Sequence, residues 1–61
     1  MDKEYLRKQY HQAVLEFKIA HNEDAQWKYR KVMADLERTA LELFGDDFVQ
    51  EIRKENGLES Y

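Results

Sequence analysis

The chain contains no cysteine and no proline, and only two glycines in 61 residues. Lack of cysteine removes disulfide staples, thiolate metal sites and thiol nucleophiles together. Lack of proline, with glycine confined to Gly45 and Gly57 and with Leu, Ala, Glu, Lys, Arg and Gln abundant, favours an all-helical chain. No apolar run approaches the ~18–20 residues that span a bilayer. The N-terminal stretch MDKEYLRKQ lacks the apolar core of a signal peptide, so the expected compartment is the cytoplasm and no membrane partner is expected. Gly-rich phosphate cradles and EF-hand spacing are also missing.

What is present is charge, on 38% of residues and netting −3, which bears on solubility more than on function. Residues 1–34 carry seven Lys/Arg against five Asp/Glu, and residues 35–61 carry three against eight. This mild dipole is able to orient two copies antiparallel but does not name a partner. A chain of this length makes one domain, residues 1–61, with a small core. Small unstapled domains gain stability from tight helix packing or from oligomerising.

The organising stretch is AQWKYRKVMADLERTALELF, residues 25–44, without Gly or Pro. At about 100° per residue, Tyr29, Val32, Leu36, Ala40 and Leu43 fall near one line, widened by Met33 and Phe44, and this is the expected core stripe. Lys28, Arg30, Asp35, Glu37, Arg38 and Glu42 lie opposite. Trp27, Ala34 and Leu41, spaced by seven, form a separate row on the nominally polar side. Residues 2–21 read as a first helix with Asp2 as N-cap and Leu6, Tyr10, Ala13, Phe17 and Ala20 as its stripe, edged by Val14 and His21. Leu15 and Ile19 make a second, smaller patch on its back.

Asn22 either closes the first helix or caps the second, whose first turn holds Glu23 and Asp24. One uninterrupted helix is the competing reading, since Leu6, Ala13, Ala20, Trp27, Ala34 and Leu41 keep a heptad row. The companion row Tyr10, Phe17 turns polar at Asp24, Lys31 and Arg38, so a coiled-coil seam fails and a hairpin is expected. Gly45 should end the central helix in a left-handed cap, and Asp47 with Gln50 resembles a capping box for a third helix over 47–55, with Phe48, Val49 and Ile52 on one face. Gly57 stops it, and 57–61 is a tail in which Leu58 or Tyr61 alone has anything to dock.

The expected fold is therefore all-α: an antiparallel hairpin of residues 2–21 and 24–44 plus a short helix at 47–55, able to dimerise into a helical bundle. The third helix should cover Leu36, Leu43 and Phe44. At roughly 12 Å it cannot cover both ends of a ~30 Å hairpin. Leu15, Ile19, Trp27, Ala34 and Leu41 are thus the candidate partner-binding surface, with Trp27 as anchor, for a second copy or a larger protein.

Catalytic constellations are thin. His11 and His21 stand about 280° apart around a helix and do not converge. Thr39 and Ser60 have no base in sequence reach, and the pairs Glu23/Asp24 and Asp46/Asp47 sit where capping explains them. No enzymatic activity, metal, cofactor or small-molecule substrate is expected. The alternative is nucleic-acid binding, in which Trp27, Lys28, Arg30 and Lys31 interleave aromatic and basic character beside Arg7 and Lys8. A pI of about 5.3 counts against it. Size and composition resemble small accessory proteins of bacteria and their phages, without a shared motif.

Overall fold

Asp2 opens the first helix, its Oδ1 accepting from the Tyr5 N–H at 2.8 Å. Lys3–Ile19 then forms α1. This computed structural model describes residues 2–58. The chain leaves the helix at Ala20 in an extended conformation, and Asn22 caps the next helix, accepting from the Ala25 N–H at 2.8 Å. Of the two roles open to Asn22, capping the second helix is the one it takes. Glu23–Phe44 is α2 and Asp46–Glu55 is α3; the described residues contain no strand. The chain is an antiparallel hairpin with a short third helix, as its periodicity implies. The expectation of a first helix to residue 21 overshoots: His21 lies outside α1, exposed, and does not edge its stripe.

Two glycines hold the corners. Gly45 alone joins α2 to α3, closing one helix and starting the other, at φ +92° and ψ 175°. That combination of positive φ with extended ψ is nearly exclusive to glycine. It differs from the left-handed cap expected there, and it starts α3 at Asp46 with no side-chain cap, so the Asp47–Gln50 capping box does not supply one. The end of α3 is a Schellman motif: the Leu58 N–H donates to the Arg53 carbonyl at 2.8 Å and the Gly57 N–H to that of Lys54 at 3.1 Å, with Gly57 at φ +74°. This turns Leu58 onto the core instead of leaving it in a tail. Tyr61 lies outside the described residues.

The core consists of Leu6, Tyr10, Ala13 and Val14 from α1, Met33 and Ala40 from α2, and Phe48, Val49 and Ile52 from α3. Phe17, Leu36, Phe44 and Leu58 pack at its edge. The α1 stripe is the expected one. The α2 stripe is displaced: Leu36, Ala40, Met33 and Phe44 reach the core, but Val32 and Leu43 are exposed, and the buried line through Met33 and Ala40 lies about 50° from the expected centre. The cause is α3. It settles on the Phe44 side of α2, where the Phe44 and Phe48 rings meet edge-on at 5.3 Å, and not over Leu43.

Long polar side chains bind α3 to the hairpin. Glu37 of α2 accepts from the Tyr10 hydroxyl at 2.5 Å and from Arg53 at 3.0 Å. Arg7 pairs with Glu51 and Glu55, and its guanidinium lies 5.5 Å from the Phe48 ring centre. His11 Nδ1 stands 2.7 Å from Asn56 Oδ1. Burial and the bond to Glu37 raise the Tyr10 pKa well above the usual phenol range.

Candidate functional site

Ten residues at 1.5 Å each make α3 about 15 Å long, against about 33 Å for α2, so the turn end of the hairpin has no third layer. Trp27 stands there. It is 64% exposed, the same as Ile19, although it is the largest apolar residue in the chain. Ala34 and Leu41 continue its row along α2, Ala34 exposed and Leu41 49% exposed.

The row borders two adjoining grooves. One, of about 400 Å³, is lined by Phe17, Glu23, Asp24, Gln26, Trp27 and Arg30. The other, of about 360 Å³, is lined by Phe17, Arg30, Met33, Ala34, Glu37, Arg53 and Leu58. Phe17 and Arg30 are common to both, so a single trough runs from Trp27 past Ala34 to the end of α3. The small side chain of Ala34 leaves room for a visitor to reach Phe17 and Met33. Leu58 forms one wall, put there by the turn at Gly57.

The five apolar residues singled out in the sequence do not share one pocket. Trp27 and Ala34 line the trough and Leu41 extends their row. Leu15 and Ile19 line neither groove, and by helical geometry they lie on the side of α1 opposite Leu6, Ala13 and Phe17. Tyr5, Val32 and Leu43 form further exposed apolar surface that spacing had assigned, for the last two, to the core.

The basic set also divides. Arg7 is engaged by Glu51 and Glu55, and Lys8 borders a separate groove with His11, Glu55 and Asn56. Since Tyr10 lies level with Glu37, Arg7 is level with residues near 40, at least roughly 14 Å along α2 from Lys31. Lys28 Nζ lies 5.6 Å from the Tyr29 ring centre. Arg30 alone among these cations lines both halves of the trough. Arg53, which the sequence did not single out, joins it there. Nothing local could have revealed Arg53, because it reaches the trough from α3 and is held by Glu37, sixteen residues away.

Thr39, one of the two non-phenolic hydroxyls, donates to the Asp35 carbonyl of its own helix at 3.0 Å. No helix among the described residues is long and apolar enough to cross a membrane. No family model matches the chain, and neither a curated protein nor a solved structure matches it.

Proposed function

We propose that this chain is a small, non-enzymatic protein-interaction module that docks a partner protein along the Trp27, Ala34, Leu41 row of α2. The observation that carries the reading is Trp27 itself, largely exposed at the mouth of a trough that ends on Phe17 and Met33. A scattered exposed leucine needs no explanation, but an indole in line with a leucine beside a groove that reaches Phe17 is the pattern of a contact hot spot. Covering one large apolar side chain is worth ~1.5–3 kcal/mol, a sizeable fraction of the stability of a domain this small. The engagement of Thr39 by its own helix and the spread of the histidines support the absence of catalysis.

The nucleic-acid reading draws less support. Its six residues split between the two ends of the hairpin, and Arg7 is already neutralised by two carboxylates. The test is site-specific photo-crosslinking in cells that express the protein. A photoreactive residue at Ala34 should capture one protein of constant mass, the product should compete away with wild-type chain, and Trp27→Ser should abolish it. Equal crosslinking from the exposed position Gln50 on α3 would show that the row has no special role.

A further inference from the structure

We infer that the partner of this row is an amphipathic helix with acidic residues on both sides of its apolar stripe, and not a second copy of the chain. The inference rests on the docking role proposed for the row. Trp27 to Leu41 spans fourteen residue steps, about 21 Å, the length of some four turns of a facing helix. Cations line both sides of its centre. Arg30 and Arg53 lie with Ala34 on the trough side. Lys31 and Arg38, about 60° and 40° round the helix from Ala34, lie on the other. The one carboxylate in the Ala34 half of the trough, Glu37, already accepts from Tyr10 and Arg53.

The other acids are placed less favourably to cancel this charge. Arg38 and Glu42 approach to 3.8 Å, but both are largely exposed, and such pairs contribute little. Asp35 projects about 100° from the row. Glu23 and Asp24 sit at the Trp27 end, in the first turn of α2, where the helix dipole already favours them. The middle of the row therefore presents three cations, Arg30, Lys31 and Arg38, beyond the Glu37–Arg53 pair.

The same positions argue against self-pairing. An antiparallel two-fold through Ala34 sets Trp27 sensibly against Leu41 of the second copy, but it also sets Lys31 against Arg38, twice, with about 1.5 Å of axial offset. A parallel two-fold brings Lys31 beside Arg30 instead. Both orientations put like charges at a flank; Glu37 would meet Arg30 (antiparallel) or Arg38 (parallel), but that carboxylate is already held by Tyr10 and Arg53. Phosphates would satisfy the cations but not Leu41 and Ala34, which lie in line between them. An acidic helix satisfies both, its large apolar side chains entering the trough beside Ala34 and its carboxylates reaching Arg30, Lys31 and Arg38.

Trp27 is the sole tryptophan and so reports its own burial. The full chain is titrated with two Trp-free helical peptides of about 18 residues sharing one leucine stripe, flanked by Glu in one and by Lys in the other. The Glu peptide should shift the emission to the blue and bind at least about tenfold tighter than the Lys peptide, with the gap closing near 0.5 M salt. The double charge reversal Lys31→Glu, Arg38→Glu should remove that preference without loss of helicity. Equal binding of the two peptides would overturn the acidic partner while leaving the docking row intact. No response to the Glu peptide would also overturn it, as would a shift produced only by single-stranded oligothymidylate, or a dimer mass in sedimentation that the Lys31→Glu, Arg38→Glu variant weakens. The Ala34 crosslinking result decides the docking role independently of all these outcomes.

Discussion

The two ends of the hairpin are built from the same kind of helix yet solve opposite problems. At the end where the chain begins, α3 lies across α1 and α2, and Leu6, Tyr10, Ala40, Phe48 and Ile52 are closed off from solvent. At the turn, Ile19 and Trp27 face water. The difference comes from the length of α3 and not from composition, since both ends carry large apolar side chains in comparable number. One end has a third layer on one side, with Tyr5, Leu41 and Leu43 still exposed on its other faces, and the turn end has none.

The sharpest way to break this contrast is to truncate an isoleucine at each end. Ile52→Ala, at a fully buried position, should lose about 2–5 kcal/mol in urea unfolding, enough to leave much of so small a domain unfolded. Ile19→Ala, at a largely exposed one, should stay within about 0.5 kcal/mol of wild type. Equal losses would mean that the turn end is as well covered as the other.

Gly45→Ala tests what puts α3 where it is. No atom lies within 4 Å of the added methyl, so the cost is backbone strain alone, about 1–3 kcal/mol, read from the denaturation midpoint. Tyr10→Phe should cost about 1.5–3 kcal/mol through the lost bond to Glu37. That substitution also changes the alkaline limb. Because the folded-state pKa of Tyr10 lies above the ordinary value near 10, its contribution is complete below about pH 10 and is lost as pH rises beyond that. Thermal melts from pH 9 to 11.5 should show wild type declining more steeply than Tyr10→Phe. The smallest effect on stability belongs to Trp27→Ser, expected within about 0.5 kcal/mol by the same melts while the crosslink at Ala34 disappears.

How much of this was legible in the sequence differs from helix to helix. In α1 the apolar residues on the core side form one narrow stripe, and periodicity located it. In α2 they cover more than half the circumference, from Tyr29 and Leu43 round to Trp27, so several buried lines were compatible with the pattern. Which line wins depends on where α3 lands, and that is fixed by the backbone angles of Gly45, which spacing does not encode. The row Trp27, Ala34, Leu41 was readable because seven-residue spacing survives without knowledge of the partner helix. The trough beside it was not, since Phe17, Arg53 and Leu58 arrive from three separate segments. The Tyr10–Glu37–Arg53 cluster was equally hidden, its members being 27 and 16 residues apart.

The joint at Gly45 has no slack. One additional residue inserted there would add up to about 3.3–3.6 Å of chain between the helices and reset the direction in which α3 leaves, displacing Phe48, Val49 and Ile52 from Tyr10 and Ala40. The distance along the chain from Phe44 to Phe48 is therefore held more rigidly than the identity of the solvent-facing residues that follow. Side chains such as Gln50 and Lys54 are open to exchange, whereas the count of residues at this corner is not.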